Sequence, residues 1–302
     1  MGTRKILVVY HRADYDGVFS GVIAKKYYES KGIHVDAFGW NYGDDPIDVK
    51  SKIGEYQGII LVDISVDPER MKTLYESGKL VWIDHHQTAI TDSVNEGYDK
   101  AEGIRRIGTA ACELTWEFFN SGKNTPMIVQ IAGAYDVWNK ERFDWEEIAV
   151  PLQYGLKNTY GLKFKEIESE WEDLCIDHEW LIDCGSVIYG WLKTMSEVWV
   201  RNCGIPVTVA GKYKGIAILT PIAGSLVFSS VLDDYDLFIV AQIREGGTKY
   251  SISMYTEPSK NLDFSCGEYL KSLEPSAGGH ACAAGGQFGR DIFEKLIFDH
   301  TI

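Results

Sequence analysis

Over the first hundred positions, apolar residues come in short, near-continuous runs, and segments with helical spacing separate them. The runs are Lys5 to His11, His34 to Trp40, Gly58 to Ile64 and Lys79 to Asp84. Between the first two, Val18, Val22, Ile23 and Tyr27 recur at helical spacing within Asp16 to Lys31, and the pattern stops before Gly32. A weaker helix follows Pro46, and Pro68 opens another at its first turn. Strands apolar on both faces, alternating with helices, predict a parallel sheet covered on both sides.

Helical pattern then takes over. Thr109 is placed to cap Ala110 to Asn120, and Thr125 to cap Pro126 to Ala134. Interrupted helix continues to about Arg201, where Ile167, Trp171, Leu174, His178 and Leu181 share one face. Past that point the texture changes to antiparallel strands at Pro206 to Ala210, Gly215 to Leu219, Asp236 to Ile243 and Lys249 to Tyr255. Gly246-Gly247 turns between the last two, and helices are expected at 223–232 and 266–273. The fold class is α/β: a parallel-sheet N-terminal domain with a helical extension over 1–185, a linker helix over 186–204, and a smaller α+β domain over 205–302.

Composition narrows the function. Of 302 residues, 45% are hydrophobic and 25% charged, as in an ordinary globular chain. No apolar run is long enough to span a bilayer, and the N-terminus does not read as a signal peptide, so no membrane partner is expected. The scattered cysteines Cys112, Cys175, Cys184, Cys203, Cys266 and Cys282 read as reduced thiols of a cytoplasmic protein. The net charge is −14, and residues 140–183 carry 5 basic against 12 acidic side chains, which reads as a solvated helix face. Long duplex nucleic acid is therefore excluded as a partner.

The chemistry lies at the strand ends. In a doubly wound sheet, ligands bind beyond the carboxyl ends of the strands. Here the first strand ends in His11-Arg12-Ala13-Asp14-Tyr15-Asp16-Gly17, the third in Asp63, and the fourth in Asp84-His85-His86. Unpaired, these four carboxylates and three imidazoles would repel one another, and cations are the simplest compensation. Carboxylate and imidazole without thiolate suits Mn2+, Mg2+ or a similar ion. Each element alone has a plainer reading: Asp14 or Asp16 as a helix cap, Asp63 as a turn residue, the His pair as packing. The conjunction at one edge favours a metal site.

These residues resemble the DHH phosphoesterases. Asp14-x-Asp16-Gly17 with Ser20 is similar to the first motif of that family, Asp63 to the second, Asp84-His85-His86 to the motif that names it, and Asp136 to the fourth. Gly278-Gly279-His280-Ala281-Cys282-Ala283-Ala284-Gly285 resembles an element of the DHH-associated C-terminal domain. The resemblance implies two Mn2+ per site, with Mg2+ or Co2+ as substitutes, in a cleft between the two domains. His11, Asp14 and Asp63 would hold one ion, and Asp16, Asp63, His85 and Asp136 the other. His86 would face the phosphate, and Asp84 would orient the histidines. Gly278, Gly279, Gly285 and His280 would bind substrate. Taken without their neighbours, the glycines equally allow a simple turn-making role.

Two departures accompany the resemblance. His11 precedes Asp14 by three residues, where many members have four, and Ser253-Met254-Tyr255 stands where an Arg-Ser pair is common. Arg244, Lys260 or an aromatic stack would then contact the substrate. The function expected is metal-dependent hydrolysis of short nucleotide substrates, such as very short oligonucleotides, dinucleotides or phosphoadenosine phosphate. Rival readings are a pyrophosphatase or exopolyphosphatase, which would want basic clusters absent here, and a nucleotide-sensing module. A homodimer is an allowed assembly. Trp138, Trp145, Trp171, Trp180 and Trp191 read as core, with one or two of them as alternative base-stacking platforms lining the cleft, and His34, His178 and His300 as structural or surface residues.

Overall fold

The computed structural model describes residues 5–298 except 43, 222 and 223. The chain divides into two compact units, 1–189 and 190–302.

The first unit is built on a four-stranded parallel sheet, β1 (Lys5–His11), β2 (His34–Trp40), β3 (Gly58–Val62) and β4 (Leu80–Ile83), in the order β2-β1-β3-β4. Alternation within each strand feeds two cores. Ile6, Val8, Ile60 and Val62 face helix α1 (Tyr15–Glu29) on one side. Leu7, Val9, Ile59 and Leu61 face α2 (Val49–Glu55), α3 (Pro68–Glu76) and α4 (Gln87–Glu96) on the other. This two-sided burial is what the continuous apolar runs predicted. The α4 segment escapes sequence reading because its residues are mostly polar and only Ala89 and Ser93 are buried.

The helical part holds α5 (Ala111–Phe119), α6 (Met127–Asp136), a π-helical turn at Trp145–Ala149, α7 (Val150–Thr159), α8 (Phe164–Ser169), α9 (Trp171–Ile176) and α10 (Glu179–Cys203). Neither threonine caps its helix. The first amides of α5 are met by a carboxylate from α1, described below, and at α6 the flanking residue is Pro126, with no side-chain cap. Ile167, Trp171, Leu174, His178 and Leu181 are buried and their acidic neighbours exposed, although three separate helices carry the four apolar residues and His178 lies between the last two. Trp171 is core, and Trp138 and Trp145 are half-buried around Tyr135. Trp180 and Trp191, by contrast, are exposed on α10. They lie about 100° around that helix from their buried neighbours Leu181 and Leu192. Of the remaining histidines, His34 is exposed, His178 is buried, and His300 lies outside the described residues.

The second unit has a six-stranded sheet in the order β5-β6-β7-β8-β10-β9, from β5 (Ile205–Val209), β6 (Tyr213–Leu219), β7 (Leu237–Arg244), β8 (Lys249–Tyr255), β9 (Gly278–Gly279) and β10 (Ala283–Phe288). It is mixed, because β6 and β7 pair in parallel, contrary to the antiparallel expectation. Their long connection makes that crossover possible. In that connection Ser225–Val231 is 3-10 helix; residue 223, the expected helix start, lies outside the described residues. Helix α11 (Cys266–Leu273) was expected. The closing α12 (Arg290–Phe298) was not, although Phe293, Leu296 and Ile297 bury a helical face. Among the described residues, no helix is long and apolar enough to cross a membrane.

Candidate metal centre

His11 is the last residue of β1, and the chain turns at once into α1. Asp14 caps that helix through Oδ1, which accepts from Gly17 N at 2.9 Å. The plain capping reading is therefore correct for one oxygen. The other, Oδ2, lies 2.8 Å from His11 Nδ1. Gly17 makes the turn possible, since a Cβ there would stand 2.1 Å from the His11 carbonyl oxygen.

Asp16 sits in the first turn of α1 but caps a different helix. Its two oxygens accept from Ala111 N (2.8 Å) and Cys112 N (2.6 Å) at the start of α5. Asp136, the last residue of α6, arrives from the same helical layer. Asp63 follows β3 with φ +57°, a left-handed conformation uncommon outside glycine, and its N–H donates to Ile83 O. Asp84 follows β4 fully buried and saturated. Its Oδ1 accepts from the backbone of His85 (2.7 Å) and His86 (3.0 Å) and lies 2.7 Å from His86 Nδ1; its Oδ2 accepts from Trp82 Nε1.

The structure brings the remaining residues of the first unit into three groups whose ligand atoms lie within 4.8 Å of one another. These are His11, Asp14 and Asp63; Asp16, His85 and Asp136; and Asp63, His85 and His86. Asp63 faces two ways. Its Oδ2 is 3.4 Å from His11 Nδ1, and its Oδ1 is 3.3 Å from His85 Nε2. His85 Nε2 also lies 3.5 Å from Asp16 and 3.4 Å from Asp136.

Two atoms test whether cations fit. His11 Nδ1 and Asp63 Oδ1 are buried and make no hydrogen bond of acceptable geometry, despite the short ionic approaches. Orphaned buried polar atoms are destabilising, and a divalent ion would give both a partner. The donor set agrees, because Cys112 directs its thiol to Val129 O and leaves only oxygen and imidazole nitrogen at the site. The residues fit a pair of hard-to-borderline divalent ions.

Electrostatics point the same way. Burial, then the charges of Asp16 and Asp14, push the Asp63 carboxyl well above its ordinary range; burial and Asp16 do the same to Asp136. Burial alone would lower the imidazoles, yet Asp14 and Asp63 raise His11 to about 11, and Asp16 and Asp136 raise His85. His86 rises through its bond to Asp84, whose own carboxyl is held low against burial by that bond. Without metal, the cluster thus retains protons that metal must displace, so loading should release protons and tighten as pH rises. Calorimetry of Mn2+ binding in two buffers of different ionisation enthalpy, at pH 6 and 8, checks this. A buffer-independent heat with unchanged affinity would contradict it.

Sequence reasoning missed Asn41 and Tyr42, just past the end of β2. Asn41 Oδ1 lies 3.0 Å from His11 Nε2, so the other ring nitrogen is the one turned to the carboxylates. The Tyr42 ring stands beside His11 and His86. The signal was available, because β2 supplies a fourth strand end at the ligand edge.

The glycine-rich residues belong to the second unit. Gly278 and Gly279 form β9, and Gly285 lies in β10 opposite Gly278. Gly279 is needed for the backbone: its φ is +141°, and a Cβ would meet Ala283 O at 2.6 Å. Gly278 faces open space, and His280 is exposed.

Residues 5–135 match the family described as DHH family, N-terminal domain. No curated protein sequence matches the chain. Among solved structures, the pGpG-specific phosphodiesterase PggH from Vibrio cholerae shares 14% identity over 97% of this chain and 96% of that one, at TM-score 0.50. The DHH domain of a member of a ribosomal-protein family shares 15% over 94% and 82%, at TM-score 0.55. RecJ in complex with Mn2+ from Thermus thermophilus shares 16% over 96% of this chain, at TM-score 0.52, and the chain spans 50% of that RecJ's length. At such identities the likeness is one of fold. Over residues 5–135 the first unit is therefore similar to the N-terminal domain of the DHH family.

Proposed function

We propose that this chain is a two-metal phosphoesterase that hydrolyses phosphodiester or phosphomonoester bonds of short nucleotide substrates, using Mn2+ with Mg2+ or Co2+ as substitutes. The observation that carries it is Asp63, a buried carboxylate in a left-handed conformation whose two oxygens face two different ligand groups. In this reading His11, Asp14 and Asp63 hold one ion, and Asp16, Asp63, His85 and Asp136 the other. Ions held there would supply an activated water and charge to steady the leaving oxygen of an in-line displacement. Asp84 fixes His86 through Nδ1, and in this reading His86 would face the phosphate. Residues 1–185 supply the chemistry, 186–204 the linker, and 205–302, through Gly278, Gly279, His280 and Gly285, the substrate contacts. Similarity in fold to a phosphodiesterase and to a Mn2+-bound RecJ supports the class of reaction. The net charge of −14 supports a short substrate.

The test is a panel with Mn2+: dinucleotides, oligonucleotides of increasing length, phosphoadenosine phosphate, pyrophosphate and polyphosphate. Turnover should be greatest on the shortest nucleotides and fall with length. Faster turnover of polyphosphate would move the chain to the rival class, and no turnover at all would refute the proposal.

The glycine-rich element is tested by paired variants. Gly279→Ala should destabilise the second unit by about 1–2 kcal/mol through backbone strain, seen in thermal melts. Gly278→Ala should fold normally, and a raised KM would then report substrate approach at that backbone. His280→Ala should keep its metal and lose roughly 10- to 100-fold in kcat/KM. Unchanged kinetics in both Gly278→Ala and His280→Ala would leave the element a turn.

A further inference from the structure

We propose that Tyr42 is the base-stacking residue of this site, so that the substrate it selects is one bearing a nucleobase next to the scissile phosphate; this rests on the phosphoesterase reading above. Tyr42 keeps 50% of its surface exposed at the rim of the polar cluster. Its ring centroid lies 5.9 Å from that of His11 and 6.5 Å from that of His86, which places the ring within one nucleotide's reach of a phosphate held there.

The ring is fixed before any ligand arrives. Its hydroxyl accepts from Ser65 N at 3.4 Å, and Trp40 meets it edge-on at 5.7 Å. The loop beneath is tied down as well. Asp44 accepts from Asn41 N at 2.9 Å and from Arg12 Nε at 3.1 Å and Nη2 at 2.7 Å, while Asn41 reaches His11. A pinned aromatic face gives up little freedom on binding. Every base has a π-face to offer it. An inorganic polyphosphate gains nothing here, because Arg12, which reaches this loop from the end of β1, is already committed to Asp44.

Steady-state kinetics with Mn2+ on pApA, and on the same dinucleotide lacking both bases, separate stacking from other roles. Tyr42→Ala should raise KM for pApA roughly 5- to 100-fold, with kcat changed far less. KM for the abasic dinucleotide and the Mn2+ stoichiometry should stay unchanged. Tyr42→Phe should restore most of the wild-type affinity, because the ring is the contact and only the Ser65 bond that helps to pin it is lost. Should the alanine variant unfold, Tyr42→Leu, which keeps bulk without a π-face, takes its place. If wild-type protein hydrolyses pApA and Tyr42→Ala leaves KM unchanged, or loses equally on the abasic substrate, the inference is overturned while the phosphoesterase reading stands. A wild-type protein that hydrolyses no nucleotide overturns both.

Discussion

Exhaustive chelation is expected to abolish hydrolysis by this protein, and added Mn2+ to restore it. Asp63 is buried and Asp136 half-buried, with Asp16 close by, and desolvation and charge drive both carboxyls upward. Without cations, the cluster settles its repulsion by holding protons. Protonated carboxyls and imidazoliums neither activate water nor take up charge from a leaving oxygen. Metal charge contributes several kcal/mol to a phosphoryl transition state, so the loss should be roughly 10³-fold or more. Because the ions bind only the folded cluster, loading should also raise Tm, by the equivalent of about 2.7 kcal/mol at a hundred times Kd. The measurement is turnover and melting after EDTA dialysis, before and after Mn2+. Full activity in the chelated protein would end the two-metal reading.

Asp63→Asn should be the most damaging single substitution for activity and among the gentlest for the fold. Asparagine tolerates the left-handed backbone at this position and keeps the side-chain shape. It lacks the charge that serves both ligand groups. A loss of roughly 10²- to 10³-fold in kcat is expected, with at least one metal equivalent gone. Stability should move the other way. A carboxyl whose folded pKa lies above its unfolded value weakens the folded state increasingly as pH rises past about 4, and the amide removes that penalty. Metal-free Asp63→Asn should therefore melt no lower than metal-free wild type at pH 7, with the difference shrinking toward pH 4. Near-normal turnover in the folded variant would remove Asp63 from the centre of the site.

Much of this was legible from strand ends alone. The runs from Lys5 and His34 end where the sheet ends, because an apolar run buried on both faces admits few other placements. The same reasoning brought His11, Asp14, Asp63 and Asp84 to one edge. It did not reach Asn41 and Tyr42, because neither is a charged or imidazole group of the kind that singled out the other strand ends. Local propensity misjudged the helix starts for a different reason. Thr109 is a good cap by type, but α5 takes its cap from Asp16, 95 residues away. No window along the sequence contains that contact. The parallel pairing of β6 and β7 was hidden likewise, since strand texture does not record direction.

That distant cap has a consequence for how such a chain can change over evolutionary time. Asp16 serves the site and also satisfies the buried amides of Ala111 and Cys112. Removing it would strand two donors in the core, about 1–3 kcal/mol each, whether or not the protein still performed chemistry. Asp63 and Asp136 carry no comparable duty to a helix start. A lineage released from selection for hydrolysis would therefore shed those two carboxylates early and keep Asp16 long afterwards. In a descendant that has fallen silent, the aspartate of the first motif is expected to survive as a fossil of catalysis preserved by architecture.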